Sequence, residues 1–321
     1  MFRWNNKVKL IISDVDETIA DLYVETEPEM IKELEKILAE GKVLFLISGQ
    51  SVQSIQWRIV NYIEAKLRKM ILVGHCSGAE VWGYEENGNL RRTPFYSHYE
   101  NALSESQKKK WREIIQRLIQ EFKLKVYPTM PISEFEKKSE KNPLSIMLED
   151  RGPQITLEVV NGYDLFPEQA QNLEIKTLLA HDQHDLRIPI LERAEKLLLE
   201  NNLPITPRLA GVFAIDFAVK GVSKTTAVKY VIEDDSILSS LGIHKSDLEN
   251  PESMEVWGDK FSVARGGTDR HISEALPKQV RSITFRDENP EEFLEGYNIV
   301  VWKGRKHLHE GLFEYLKSRN S

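Results

Sequence analysis

With 321 residues, 41% of them hydrophobic and 29% charged, the chain is long enough to bury a large core and to form two domains. A formal net charge of -7 supplies no basic field that would draw it to DNA or to an anionic membrane, so nucleic acid is not an expected partner. The single cysteine, Cys76, excludes an intramolecular disulfide, the start MFRWNNKVKL lacks a secretory signal, and no apolar run reaches bilayer length, so the expectation is a cytoplasmic protein away from the membrane.

The first element is the apolar run Leu10, Ile11, Ile12, which reads as a strand covered on both faces and ends abruptly at Asp14, Asp16 and Thr18. Glu27-Pro28 opens a helix with Met30, Leu34, Ile37 and Leu38 at helical spacing, and Gly41 closes it. Lys42 to Ser48 is a second strand ending at Ser48-Gly49, and the following isoleucines, Ile55, Ile59 and Ile63, with Leu67, predict one helix. Met70 to Gly74 is a third strand, so the chain begins as crossover units of a parallel sheet.

From about Tyr84 the alternation stops at a turn-rich joint, and residues 85–220 read as an inserted α+β domain. Within it Ser104 to Phe122 is helical, Ser145 to Leu148 and Ile155 to Val160 form a hairpin about Gly152-Pro153, Leu191 to Asn201 is a helix, and Val212 to Val219 is a returning strand. The core then resumes with a helix from Thr225 to Glu233, strands at Glu255 to Gly258, Val280 to Phe285 and Asn298 to Trp302, and an amphipathic helix from Leu308 to Lys317. The expected fold class is α/β: a doubly wound, Rossmann-like parallel-sheet core from residues 1–84 and 221–321, carrying the insertion as a cap.

Two carboxylates two positions apart at the end of a strand, Asp14 and Asp16, project in similar directions and repel unless a cation or shared proton intervenes; a hard divalent ion such as Mg²⁺ suits them. Three further elements follow where a strand ends or a helix begins: Ser48-Gly49, Lys224, and Gly258-Asp259. In this order the four motifs resemble the haloacid dehalogenase superfamily of phosphotransferases. GVSK, Gly221 to Lys224, looks like the Cof-type sugar-phosphatase branch with an α/β cap, and GDKFSVARGGTD, Gly258 to Asp269, is similar to the fourth motif of phosphomannomutases.

The resemblance implies a phosphatase that forms an aspartyl-phosphate. Asp14 would be the nucleophile, Asp16 the acid-base residue, and Mg²⁺ would bind Asp14, the main-chain carbonyl of Asp16, and Asp259. Thr18, Ser48, Gly49 and Lys224 would hold phosphoryl oxygens, with Asp269 behind the metal or Lys224, and the partner would be a small phosphorylated substrate, most simply a sugar phosphate. The chain departs from the pattern at Glu17, where glycine is common, at Gln50, where arginine is frequent, and at Ser262-Val263, where an asparagine-aspartate pair is common.

Other readings of the same residues stay in view. A phosphomutase would use the same nucleophile but needs a second phosphate site in the cap, for which the region SIMLEDRGPQITLEV offers only Arg151, unless Arg91, Arg92 or Arg187 joins it. A binding protein could keep the fold without turnover. His181, Asp182, His184 and Asp185 form a possible metal cluster or a solvated cap segment, Lys108 to Lys110 and Lys303 to His307 read as solvated surface, Lys220 as a hinge residue, and Cys76 as a small buried side chain.

Overall fold

The structure, a computed structural model, describes residues 4–21, 24–173, 184–210 and 212–320. In chain order the strands are β1 (Leu10–Ser13), β2 (Val43–Ile47), β3 (Ile71–His75), β4 (Glu80–Trp82), β5 (Tyr96–Ser97), β6 (Lys125–Tyr127), β7 (Ser145–Asp150), β8 (Gln154–Glu158), β9 (Ile205–Ala210), β10 (Ala214–Val219), β11 (Met254–Gly258), β12 (Arg281–Thr284) and β13 (Ile299–Val301). They form two sheets in two compact units, one of residues Met1–Ser97 with Gly221–Ser321 and one of His98–Lys220.

In the first unit the sheet order is β13-β12-β11-β1-β2-β3-β4-β5, parallel from β13 to β3 and antiparallel at β4 and β5. The chain builds outward from β1 to β3 on one side and returns through β11 to β13 on the other. The order therefore reverses beside β1, which is where open α/β sheets leave a crevice at the strand ends. Each of β1, β2, β3 and β11 is fully buried because both faces are covered. Ile11, Leu44, Leu46, Val73 and Trp257 pack toward the helices Pro28–Ala39 and Leu308–Lys317 through Leu34, Leu38, Leu312 and Tyr315. Leu10, Ile12, Phe45, Leu72 and Val256 pack on the other side with Ala227, Val228 and Val231 of the helix Lys224–Glu233.

Three features differ from the sequence reading. The first unit runs to Ser97 rather than to residue 84, because β4 and β5 extend its sheet past the expected joint; the return falls between Lys220 and Gly221. The isoleucine run after Ser48 is not one helix: it breaks into Val52–Arg58, a 3-10 turn Val60–Tyr62 and a short helix Ala65–Arg68, with Ile59 at φ −131° interrupting the first. The insertion also gains a helix, Ile132–Ser139, and β9, whose Pro207 hid it; Pro207 sits on an edge strand that pairs only with β10, where a missing N–H is tolerated.

The second unit is a five-stranded sheet of order β6-β7-β8-β10-β9, antiparallel except between β6 and β7. The hairpin β7–β8 turns at Gly152, whose φ of +84° suits glycine, and Arg151 N–H donates to Gln154 O at 2.8 Å. The helix Glu105–Glu121 starts at a capping box, Ser104 with Gln107, and packs with the helix Arg187–Glu200. No helix among the described residues is long and apolar enough to cross a membrane.

Candidate active site

The ends of β1, β2 and β11 and the start of the helix Lys224–Glu233 converge, and they carry the four motifs. Asp14 follows β1 directly and is 8% exposed; its N–H donates to Trp257 O, which holds the first and fourth motifs side by side. Lys224 stands at the first position of its helix, whose N-cap Ser223 accepts from Thr226 N–H. Gly78, at φ +86°, keeps this helix close to the segment after β3: a Cβ there would lie 2.6 Å from Ala227 Cβ.

Lys224 Nζ donates to Asp14 Oδ1 at 2.6 Å and to Asp269 Oδ1 at 2.8 Å. Burial works against the ammonium charge, but Asp14 and Asp269 outweigh it and raise the Lys224 pKa above that of an ordinary lysine. Asp269 also takes the N–H groups of Asp259 and Lys260 on Oδ2, each at 3.0 Å, and so fixes the loop that presents Asp259. The sequence reading placed Asp269 behind the metal or Lys224, and here it braces both Lys224 and the Asp259 loop.

The carboxylates of Asp14, Asp259 and Asp269 each offer an oxygen within 4.8 Å of the others, all three buried. Burial, then the neighbouring Asp269 charge, pushes Asp14 well above the usual carboxylate range, with Lys224 opposing. Burial and Asp269 likewise raise Asp259 to about 7 against the pull of Lys260 and Arg286. Such a set is short of positive charge. Its all-oxygen composition fits a hard divalent cation such as Mg²⁺, which would supply the missing charge.

A test follows from Asp259. A raised acid pKa means that metal and proton compete for the same oxygen below about pH 7, so Mg²⁺ affinity is expected to rise with pH between about 5 and 7. Calorimetric titration with Mg²⁺ at several pH values measures this, and an affinity independent of pH between 5 and 7, on the order of the range set by that shift, would contradict it.

Asp16 does not share this carboxylate cluster. It lies past the strand in a turn, where Arg58 Nη1 donates to its Oδ1 at 2.6 Å and Ser48 Oγ donates to its Oδ2 at 3.2 Å. Ser48 Oγ in turn accepts Gln50 N–H at 3.1 Å, and Gly49 is exposed at the opening. Thr18 is placed otherwise than a phosphate-contacting residue at the opening: its side chain is fully buried and its hydroxyl has no hydrogen-bond partner among the described residues.

Arg58 is the residue that sequence reasoning passed over. It is 0% exposed, and besides Asp16 it donates to Val24 O and Asp21 O, tying the acid-base candidate to the loop after β1. It is the last residue of the helix Val52–Arg58, on the same buried face as Val52 and Ile55, and it brings a guanidinium near the second motif, where Gln50 supplies none. On the acid-base role that the family resemblance implies for Asp16, Arg58→Met is expected to slow hydrolysis of alkyl phosphates by about tenfold to a hundredfold while sparing p-nitrophenyl phosphate, whose leaving group needs no proton. Equal losses on both substrates would show that Arg58 does not act through Asp16.

Arg286 and Glu288, after β12, were also missed. Arg286 Nη2 donates to Asp259 Oδ2 at 2.8 Å and to Glu17 Oε2 at 2.5 Å, and Lys260 Nζ lies 3.2 Å from the same Glu17 oxygen. Glu288 accepts the N–H groups of Phe261 and Ser262. Ser262 therefore does not stand in for a fourth-motif carboxylate; its loop is pinned by Glu288 and its hydroxyl bonds Glu292. The possible His181 cluster lies partly outside the described residues; of its members within them, Asp185 is engaged by Arg187. Cys76 is buried, with His75 Nδ1 3.2 Å from its sulfur.

The sequence matches no family model, and no curated protein matches it. Solved structures do match. A haloacid dehalogenase-like hydrolase from Bacteroides thetaiotaomicron has a TM-score of 0.58 at 14% identity, over 97% of this chain and 98% of that one. A phosphatase of the haloalkanoate (HAD) enzyme superfamily from the same organism has a TM-score of 0.50 at 14% identity, over 100% of this chain and 98% of that one. The chain therefore has the fold of the haloacid dehalogenase-like hydrolases.

Proposed function

We propose that this protein is a Mg²⁺-dependent phosphatase that hydrolyses a small phosphorylated metabolite, a sugar phosphate, through an aspartyl-phosphate on Asp14. The observation that carries the reading is the nearly closed-in Asp14 carboxylate at the end of β1, held by Lys224 on one side and grouped with Asp259 and Asp269 on the other.

Asp14 attacks phosphorus in line, and the bond from phosphorus to the alcohol oxygen breaks as Asp16 gives that oxygen a proton. Water then attacks the same phosphorus, Asp16 takes its proton, and the bond to Asp14 breaks to release inorganic phosphate. Lys224 and the Ser48-Gly49 turn hold the phosphoryl oxygens, so that most of the catalysis is positioning and fixed charge. Asp14 and Asp259, with the Asp16 carbonyl, would hold Mg²⁺, which when bound neutralises phosphoryl charge that otherwise repels the incoming carboxylate.

Hydrolysis is favoured over phosphomutase chemistry by the inserted unit. Five arginines among its described residues are hydrogen-bonded to an acidic partner: Arg112 to Asp150, Arg117 and Arg193 to Glu121, Arg151 to Glu149 and Arg187 to Asp185. Arg208, half-exposed and 3.9 Å from Asp216, stands without another such arginine among these residues to make the cluster that a second phosphate needs. The sugar class rests on the GVSK and GGTD resemblance alone.

A phosphate-release screen over phosphorylated metabolites with Mg²⁺ present is the test. Release from one or a few sugar phosphates is expected. Turnover confined to nucleotides would remove the sugar assignment, and none on any ester would remove the phosphatase.

A further inference from the structure

Arg286 holds one oxygen of Asp259, a carboxylate of the candidate metal cluster. Its guanidinium meets Asp259 Oδ2 through both Nη2 and Nε, at 2.8 and 3.1 Å, and the same Nη2 reaches Glu17 Oε2 at 2.5 Å. Asp259 is 1% exposed, so whatever neutralises it must come from close by. Glu17 holds a φ of +60°, a left-handed conformation that disfavours a long side chain, and strain of this kind persists where surrounding contacts hold it. Glu17 N–H donates to Ala20 O at 2.7 Å and closes the turn, and Arg286 and Lys260 meet the side chain.

We propose that Arg286 and Glu17 form a counter-ion exchange device for the metal site, a reading that rests on the metal assignment above. Without metal, Arg286 neutralises Asp259. When a divalent cation shares the Asp259 carboxylate, its charge weakens the guanidinium's hold on that group, and Glu17, which the same Nη2 already meets, retains the guanidinium. Arg286 is thus a built-in competitor of the metal, and Glu17 weakens that competition by giving the guanidinium a second seat. Both are positioning residues: neither transfers a proton or a phosphoryl group. The pairing also explains why an acidic side chain stands where glycine is common. Glu17 is the acceptor that lets a cation sit next to the metal aspartate and still move aside.

The device predicts opposite signs for two charge-removing changes, which a merely structural role would not give. Calorimetric titration of the metal-free protein with Mg²⁺ alone, at constant pH and low ionic strength, is expected to show about tenfold tighter binding for Arg286→Gln and several-fold weaker binding for Glu17→Gln, roughly the effects of removing one nearby charge. In the double variant the Arg286-dependent part of the Glu17→Gln penalty should vanish, leaving the part due to Lys260, whose Nζ lies 3.2 Å from Glu17 and 3.7 Å from Asp259. Arg286→Lys, a point charge without the fork, should fall between the parent and Arg286→Gln, and it carries the test if the glutamine variant does not fold by circular dichroism. Binding by Arg286→Gln or Arg286→Lys no tighter than the parent overturns the exchange. Additive penalties in the double variant do so as well, since they indicate only a shared field. A parent that binds no Mg²⁺ overturns the metal assignment itself, and the parent titration alone reveals that outcome.

Discussion

Replacing Asp14 by Asn is expected to reduce phosphate release by at least about 10,000-fold, because an amide oxygen cannot form the aspartyl-phosphate and the remaining groups act only as a unit with it. The change keeps the shape of the side chain, and it removes a charge from a buried carboxylate group that is already crowded, so the fold should persist. Circular dichroism and the phosphate assay together decide the matter. A folded variant that retains a tenth of the parent activity, on the order of what a merely binding residue would leave, contradicts the assignment.

Lys224→Met is expected to have the second largest effect, and it falls on stability as well as on activity. Lys224 is buried and bonded to both Asp14 and Asp269, so its removal leaves two buried carboxylates facing each other without a fixed cation. Breaking a buried pair from one side typically costs about 3–5 kcal/mol, a large share of the stability of an ordinary domain. A divalent cation can offset part of this, so the loss should be larger in metal-free protein than with Mg²⁺ present. Urea unfolding of parent and variant in both conditions measures it, alongside a fall in activity of about a hundredfold or more. Equal stability of the two proteins without metal would mean that the Lys224 contacts carry no weight.

How far the sequence disclosed this arrangement depended on what each residue type can be used for. The strands β1, β2 and β3 were legible because apolar branched runs have few other uses, and Asp14, Ser48, Lys224 and Asp259 were legible because each sits where such a strand ends or a helix starts. Arg58 was not. A lone arginine among isoleucines reads as a wet residue, and only the folded chain, which sets the helix Val52–Arg58 against the loop after β1, brings it to Asp16. Arg286 was hidden for a different reason: its partners Asp259 and Glu17 lie far away in sequence, and only the placement of β12 next to β11 makes them neighbours. The extension of the core to β5 escaped because β4 and β5 are two or three residues long, too short for a period to register.

Whether Asp14 carries the phosphoryl group can be tested before any substrate is known. An enzyme that forms an aspartyl-phosphate reversibly from inorganic phosphate releases one phosphate oxygen to water each time and takes one back when the bond is hydrolysed. Incubating the protein with inorganic phosphate and Mg²⁺ in ¹⁸O-labelled water, and following the phosphate by mass spectrometry, reads that cycle directly. Label is expected to enter phosphate with the parent protein, and to stay at the buffer level with Asp14→Asn and with the parent stripped of metal. Label that enters equally fast with Asp14→Asn, or that never enters with the parent, would exclude Asp14 as the phosphoryl carrier.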